Sequence, residues 1–178
     1  MDVPRNLDGR IALVTGAGSG LGQAAAVELA RRGAHVAFTE LPDRLDRAAQ
    51  TLEMIEVAGG SGLALALDVR SLENIRQVAE TTAAIDGRID MLVNNAGVNI
   101  RQDAFDVTEE AWDTVIDIDL KGVFFMAQAV GRIMRDQDPQ GGSIVNIASV
   151  MGLGGYYQRA AYCSAKAGVV NLTKLLAL

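Results

Sequence analysis

The amino-acid sequence predicts an α/β fold, in which helices cover both faces of a doubly wound parallel sheet in three αβα layers. Two observations lead to this prediction. Short apolar or β-branched runs alternate along the chain with longer stretches of helical periodicity, as in repeated βαβ units. A glycine-rich turn, residues 16–22, directly follows the first of those runs. With 178 residues, 49% hydrophobic and 21% charged, the chain has the composition of one globular domain over 1–178.

The elements follow in order from these patterns. A strand is predicted over 11–15 and a helix over 21–32, with Leu21, Ala25 and Leu29 facing the core and Gly33 ending the helix. Further strands are predicted over 35–39, 63–67, 89–94 and 143–148, and further helices over 42–58, after Ser71, over 108–135 and from about 157 to 178. The last helix would normally cross over to another strand, and no further strand follows it, so we expect the final strands of the fold to be missing. Either the chain is a fragment of a longer protein, or a partner supplies the missing edge of the sheet.

Charge and composition exclude several classes of function. The net charge of −6 and the pI of about 4.7 disfavour nucleic acid and anionic membrane surfaces as partners. No apolar run approaches the length of a membrane span, and the first ten residues lack the centre of a secretory signal, so we expect a cytoplasmic protein. Cys163 is the only cysteine and is interpreted as a packed thiol. His35 is the only histidine, so no metal site is expected.

The glycine-rich turn is a candidate phosphate-binding loop. Gly16, Gly20 and Gly22 permit a tight turn, close approach of the backbone to a pyrophosphate, and close packing of helix on strand. Glu40 ends the second strand, where an acidic residue accepts hydrogen bonds from the adenosine ribose and would repel a 2′-phosphate. No arginine or lysine stands at 39, 41 or 42. NAD is therefore favoured over NADP.

A tyrosine and a lysine form the candidate proton-transfer pair. Tyr162 and Lys166 lie four residues apart on a predicted helix, so they share one face one turn apart. The ammonium would then favour the ionised form of the phenol. Ser149 completes the group from the end of the fifth predicted strand.

Together these motifs resemble those of the short-chain dehydrogenase/reductase family. The resemblance lies in the loop 15–22, in Asn94 to Gly97, in Ser149, and in Tyr162 with Lys166. It implies a Rossmann-type fold in which Ser149 binds the substrate oxygen, Tyr162 is the acid/base, and Lys166 holds the nicotinamide ribose. The cofactor-binding residues would be Gly16, Ser19, Gly20, Leu21, Gly22, Glu40, Asp68, Val69, Asn95, Ala96, Gly97, Tyr162 and Lys166, with Asn94 also lining the ribose and adenine.

One position departs from the family pattern. Asp119 stands where the family usually has an asparagine that holds a water for proton relay to the lysine. An ionised aspartate accepts but does not donate hydrogen bonds. Its negative charge near Lys166 would oppose ionisation of Tyr162. We therefore include Asp119 among the catalytic residues and expect it to raise the pH optimum of alcohol oxidation.

The expected reaction is hydride transfer between a nicotinamide cofactor and a secondary alcohol or ketone. Residues 94–104 are similar to members that act on sugar acids such as gluconate, so a sugar acid or polyol is the favoured substrate, contacted by loops 98–104 and 150–158. Two alternatives stay open: a 3-oxoacyl thioester reductase of the same family, or a cofactor-binding or assembly module without turnover. The resemblance implies a homodimer or homotetramer. Four residues of the long helix are expected in core or subunit contacts: Trp112, Phe124, Phe125 and Met126.

Overall fold

The computed structural model describes residues 5–178, which form five parallel strands in the order β3-β2-β1-β4-β5 with helices on both faces. The strands are β1 (Ile11–Val14), β2 (His35–Glu40), β3 (Ser61–Ala66), β4 (Met91–Asn94) and β5 (Ser143–Asn146). The helices are α1 (Gly20–Arg31), α2 (Leu45–Val57), α3 (Leu72–Ala83), α4 (Glu109–Ile116), α5 (Val123–Asp136) and α6 (Ala160–Leu176). The predicted doubly wound α/β fold is confirmed.

Two hydrophobic cores lie on opposite faces of the sheet. Leu13 of β1 packs with α3 and α5, whereas its neighbours Ala12 and Val14 pack with α1 and α2. This alternation follows from the two-residue repeat of a strand. Because both faces are covered, the strands carry continuous apolar runs, which is why the sequence pattern revealed them.

The prediction for the inward face of the first helix was wrong for Leu21, whereas Leu29 packs against the core as expected. Leu21 is 62% exposed, and the buried residues of α1 are Gly22, Ala26 and Ala30. A Cβ on Gly22 would lie 2.6 Å from the Gly16 carbonyl oxygen, so α1 approaches the loop through its smallest residues. Close packing, rather than side-chain bulk, therefore selects the buried face.

The long helix predicted over 108–135 is interrupted. Its two parts, α4 and α5, join through a π-helical turn at Asp117–Gly122, which apolar periodicity does not predict.

The last helix begins at Ala160, not near 157, because Gln158 has a left-handed φ of 57° that a right-handed helix cannot include. It ends at Leu176, so the expectation that it continues to Leu178 was also wrong. Among residues 5–178, no helix is long and apolar enough to cross a membrane.

Asp90 ties the starts of two adjacent strands together. Its carboxylate accepts the Ile11 backbone N–H at 2.9 Å and bonds from the guanidinium groups of Arg10 at 2.8 Å and Arg88 at 2.7 Å. Burial pushes the pKa of Asp90 up, but the bonds from Arg88, Ile11 and Arg10 outweigh it and hold that pKa below its usual value. The β1–β4 pair that borders the functional cleft is thereby fixed at its amino-terminal end.

Candidate active site and cofactor cleft

A cleft of about 520 Å³ opens at the carboxyl ends of β1 and β4. The chain winds outward from β1 to β3 and then returns to β4 on the other side, so this is the switch point at which open α/β sheets bind ligands. Eight predicted cofactor residues line the cleft: Gly16, Ser19, Glu40, Asp68, Val69, Asn95, Ala96 and Gly97. The other five lie outside that lining: Gly20, Leu21 and Gly22 in the first turn of α1, and Tyr162 and Lys166 on α6.

The glycine loop is held rigidly by groups from three other parts of the chain. Gly16 has a left-handed φ of 64°, and a Cβ there would lie 2.8 Å from Ala96 Cα. Its N–H donates to Thr39 Oγ1 at 3.3 Å, and its carbonyl accepts from Asn95 Nδ2 at 2.9 Å. Thr51 of α2 donates to the Ala17 carbonyl at 2.8 Å. These contacts preorganise the loop before any ligand binds.

The start of α1 fits a pyrophosphate. Ser19 is the N-cap residue, yet its side chain makes no capping bond, and the first turn contains no acidic residue. A Cβ added at Gly20 would meet no atom within 4 Å, so the backbone borders open space there. A helix start with uncapped N–H groups attracts anions through the N–H groups and the helix dipole. The residues present therefore fit the dinucleotide that the sequence implied.

Charged residues of both signs meet at the far end of the cleft. Glu40 Oε1 accepts the Leu41 N–H at 2.8 Å, and a Cβ on Gly18 would overlap Glu40 Oε2. Arg44 and Arg47, from the segment that follows β2, line the same cleft. These two cations lie beyond the positions next to Glu40 in the sequence, so the absence of a cation at 39, 41 and 42 did not reveal them. The turn at Pro42–Arg44 and the first turn of α2 bring them to the cleft.

The segment that follows β3, next to the end of β2, carries an ion pair that lines the same cleft. Arg70 binds the Asp68 carboxylate through Nη2 at 2.7 Å and Nε at 2.9 Å. The Arg70 hydrogen bond, partly opposed by burial, lowers the pKa of Asp68. Asn74 accepts the Asp68 backbone N–H at 2.9 Å and so fixes the turn after β3.

The segment after β4 is held in place by hydrogen bonds that the sequence motifs did not predict. Thr15 Oγ1 accepts the N–H groups of Asn95 at 3.0 Å and Ala96 at 3.1 Å, a role that sequence spacing did not reveal. Asn94 does not line the cleft. It is buried and donates to Asn146 Oδ1 at 2.9 Å, because Asn94 and Asn146 are paired in register on β4 and β5 and their side chains lie on the same face of the sheet.

Tyr162 and Lys166 share one face of α6, in agreement with their spacing. The Lys166 ammonium lies 5.6 Å from the centroid of the Tyr162 ring. Lys166 is only 3% exposed, and its Nζ donates to the Ile147 carbonyl at 2.9 Å. Ser149 follows β5, and its Oγ accepts the Met151 N–H at 3.1 Å. The Ser149 hydroxyl therefore keeps its hydrogen for another acceptor.

Asp119 lies in the π-helical turn and contacts Lys166 directly. Its Oδ2 is 3.1 Å from Lys166 Nζ, and its Oδ1 accepts the Val98 N–H at 2.7 Å. The carboxylate is fully buried. Burial raises the pKa of Asp119, an effect that Lys166 and the Val98 N–H only partly offset. Asp119 thus links the cleft wall at Val98 to the lysine by direct contact.

The two candidate substrate loops meet at a second cleft. Its lining includes Gln102, Asp103, Tyr156, Tyr157 and Gln158. The Asp103 carboxylate, with a smaller contribution from burial, raises the pKa of Tyr157.

The remaining sequence candidates have structural contacts. His35 Nδ1 lies 2.8 Å from Ser61 Oγ, and Cys163 is half-buried on α6. Met126 is fully buried in the core of α3 and α5, which Phe125 also contacts, whereas Trp112 is exposed.

A known protein family matches the sequence of this chain over almost its whole length. A sequence model described as short chain dehydrogenase matches residues 10–178. The chain belongs to the short-chain dehydrogenase family. Members of this family are oxidoreductases that use a nicotinamide cofactor, NAD or NADP.

Individual family members extend the match over nearly the whole chain. The 2-dehydro-3-deoxy-D-gluconate 5-dehydrogenase of Dickeya dadantii is 37% identical over 97% of the chain, and the D-threitol dehydrogenase of Mycolicibacterium smegmatis is 39% identical over 99%. The chain spans 66% of the length of each of these relatives. A crystal structure of a protein assigned as a short-chain alcohol dehydrogenase, from Sinorhizobium meliloti 1021, superimposes with a TM-score of 0.91 at 44% identity. The aligned region covers 98% of this chain and 68% of the Sinorhizobium chain.

Proposed function

We propose that the protein is an NAD(H)-dependent dehydrogenase that transfers a hydride between nicotinamide and a secondary alcohol or ketone. One observation carries the proposal most strongly, the position of the Lys166 ammonium beside the Tyr162 ring. An ammonium has three N–H donors, of which one binds the Ile147 carbonyl, while the Asp119 carboxylate forms an ion pair with Nζ at 3.1 Å. Even if that ion pair occupies a second donor, a third remains. The third is available to a ribose hydroxyl. Burial of this cation gives it a strong electrostatic effect on a neighbouring phenol.

Three of the four candidate catalytic side chains, Tyr162, Ser149 and Lys166, have distinct roles in the proposal. The bound cofactor supplies the acceptor for the hydride that leaves the carbinol carbon. Tyr162 takes the proton that leaves the hydroxyl oxygen, and in the reverse direction it returns that proton to the carbonyl oxygen. Ser149 donates its free hydrogen to the same oxygen and stabilises the charge that develops there. Lys166 favours the ionised phenol and orients the ribose.

We propose NAD as the cofactor because Glu40 ends β2 and lines the cleft, where the ribose of a dinucleotide would be expected. A carboxylate there accepts bonds from ribose hydroxyls and repels a 2′-phosphate.

The proposed substrate is a sugar acid or polyol, which the names of the Dickeya and Mycolicibacterium relatives support. The proposal also includes a homodimer or homotetramer in the cytoplasm, with the exposed Trp112 of α4 at a subunit contact.

The test measures binding and turnover separately. NADH fluorescence titration measures cofactor binding, and a panel of sugar acids, polyols and 3-oxoacyl thioesters with NAD(H) measures turnover. Ser149→Ala should lower kcat by about a hundredfold, as for loss of one oxyanion donor. Ser164→Ala, an exposed serine on α6, is the matched control and should leave kcat unchanged. Failure to bind NADH would contradict the proposal, and binding without turnover would favour a cofactor-binding module.

A further inference from the structure

The second cleft, about 510 Å³ between the segments 102–106 and 156–160, is lined by residues with unsatisfied polar atoms. Among residues 5–178, three buried side-chain polar atoms have no hydrogen-bond partner, and two of them, Asp103 Oδ1 and Arg159 Nε, belong to this lining. Buried polar atoms in folded proteins nearly always have a partner. We propose that Asp103 and Arg159 form a subsite for the hydroxyl groups of a neutral polyhydroxylated substrate, and that this subsite disfavours a substrate that carries a carboxylate. The inference rests on the proposed dehydrogenase function, whose substrate class it names.

The two unsatisfied atoms have complementary hydrogen-bonding roles. Asp103 Oδ1 only accepts hydrogen bonds when the carboxyl is ionised, and Arg159 Nε only donates them. Within residues 5–178, neither side chain forms an ion pair. A hydroxyl group both donates and accepts. Neighbouring hydroxyls of one polyol can therefore satisfy both residues at once, and a ligand without hydroxyls would leave both unpaired.

The charges that line the second cleft disfavour a ligand carboxylate. Asp103 and Asp106 supply two negative groups, and Arg159 supplies the one cation of the lining. A ligand carboxylate would attract Arg159 but would be repelled by both aspartates. It would also have no hydrogen to donate to Asp103. A neutral polyol avoids the repulsion and still supplies a donor and an acceptor.

Tyr157 lies beside Asp103 at the surface of the second cleft. The neighbouring Asp103 carboxylate raises the pKa of Tyr157, so the phenol keeps its hydrogen at neutral pH. Tyr157 is 81% exposed, and exposed side chains change rotamer within nanoseconds. Tyr157 can therefore turn aside to admit a ligand hydroxyl to Asp103.

The backbone next to Arg159 has a conformation that is costly for a residue with a side chain. Gln158, with a φ of 57°, is the one non-glycine residue in 5–178 with a positive φ. Such conformations persist where the surrounding structure enforces them, and they are concentrated at active sites and ligand sites. Gln158 immediately precedes Arg159, the N-cap residue of α6. The costly conformation therefore sets the position of one half of the proposed subsite.

The second cleft adjoins the proposed catalytic tyrosine. Tyr162 follows Arg159 by three residues, about one helical turn into α6. Tyr162 packs against the same buried cluster as Val98 and Ile100, which lead into the segment 102–106. A substrate whose carbinol carbon lies at Tyr162 can therefore extend its other hydroxyls toward Asp103 and Arg159.

The experiment compares pairs of substrates that differ in one terminal group, a hydroxymethyl group or a carboxylate. The pairs are threitol and threonate, xylitol and xylonate, and galactitol and galactonate. Oxidation with NAD is followed as NADH formation. In the unaltered chain, kcat/KM should be at least about tenfold higher for the neutral member of the pair that reacts best, as for one hydrogen bond to a charged group.

Two variants test the two halves of the subsite. Arg159→Gln should raise KM for the preferred polyol by about tenfold to a hundredfold and change kcat less, because the lost contact is made in both ground state and transition state. Asp103→Asn should also raise KM for the polyol, and it should narrow the preference over the carboxylate partner because it removes a repelling charge. The NADH dissociation constant should stay unchanged in both variants.

Matched controls lie on exposed positions outside the second cleft. Arg132→Gln on α5 and Asp113→Asn on α4 make the same chemical changes and should leave KM and the preference between partners unchanged. A carboxylate partner that reacts as well as the polyol in the unaltered chain would overturn the inference. So would an unchanged polyol KM in both cleft variants. If Arg159→Gln does not fold, Asp103→Asn and the comparison of partners in the unaltered chain decide the question.

The proposed function and this inference fail in different ways. Turnover of 3-oxoacyl thioesters without turnover of any polyol would leave the dehydrogenase in place and overturn the subsite. NADH binding without any turnover would contradict the dehydrogenase itself. In that case, isothermal titration of threitol and threonate into the NAD-bound protein tests the subsite separately. Tighter binding of threitol would support the subsite, and equal binding or no binding would overturn it.

Discussion

Replacing Asp119 by asparagine removes the buried negative charge next to Lys166 while keeping the side-chain shape. The ammonium lies 3.1 Å from the Asp119 carboxylate and 5.6 Å from the Tyr162 ring centroid, so carboxylate and ring are at most about 9 Å apart. At an effective dielectric of about 20, the carboxylate then opposes a phenolate by about 2 kcal/mol, against about 3 kcal/mol of stabilisation by the ammonium. Asp119 thus cancels much of the effect of Lys166.

The expected result of Asp119→Asn is a shift of the alcohol-oxidation pH profile toward lower pH by about one unit. The sign follows because removal of a negative charge favours the ionised phenol. Asp117→Asn is the matched control. It removes a charge from the same π-helical turn, but Asp117 pairs at the surface with Lys121, so it should not move the profile.

An independent readout avoids dependence on turnover. The chain has three tyrosines, so changing Tyr156 and Tyr157 to phenylalanine leaves Tyr162 as the only source of tyrosinate absorbance. An ultraviolet pH titration should show Tyr162 ionising at lower pH when Asp119→Asn is added. Identical titrations, together with unshifted activity profiles, would refute the electrostatic coupling between Asp119 and Tyr162.

Two further predictions concern the cleft and the fold. Gly16→Ala should weaken NADH binding at least tenfold and cost about 1–3 kcal/mol of unfolding free energy. Gly9→Ala is the control, because Gly9 has a φ of 72° and no atom within 4 Å of an added Cβ, so it should cost stability but spare NADH affinity. Equal loss of affinity in both variants would contradict the cleft geometry. Asp90→Asn should lower the unfolding free energy at pH 7 by about 2 kcal/mol. The pKa of Asp90 is lowered in the fold, so this stabilisation is lost as pH falls. The difference in unfolding free energy between Asp90→Asn and the unaltered chain should therefore close below about pH 4. Urea unfolding at pH 7 and below pH 4 measures it, and an equal difference at both pH values would contradict the role of the Asp90 charge.

Local spacing was sufficient to predict the parts of the site that lie within one element. Tyr162 and Lys166 share a helix face because of the helical repeat alone, and Gly16 follows β1 in a turn that only glycine adopts easily. The apolar runs revealed the strands because helices cover both faces of the sheet.

Contacts between distant segments were not predictable in the same way. The hydrogen bonds that Asn95 donates to Thr15 and Gly16 donates to Thr39 depend on strand order, which periodicity does not give. Arg44 and Arg47 reach the cleft only because a short turn follows β2. The π-helical turn that points Asp119 at Lys166 leaves no mark in the apolar pattern.

Replacing Tyr162 by phenylalanine tests the central claim most directly, because it removes the proton-carrying oxygen and keeps the ring beside Lys166. With a substrate that the unaltered protein oxidises, Tyr162→Phe should lower kcat by about a hundredfold to ten-thousandfold. The NADH dissociation constant should stay within about twofold, since Tyr162→Phe leaves the glycine loop, Glu40 and Lys166, the other cofactor contacts of the proposed site, unchanged. Residual turnover near the original rate, or a large loss of NADH affinity with turnover retained, would contradict the assignment of Tyr162 as the proton-transfer group.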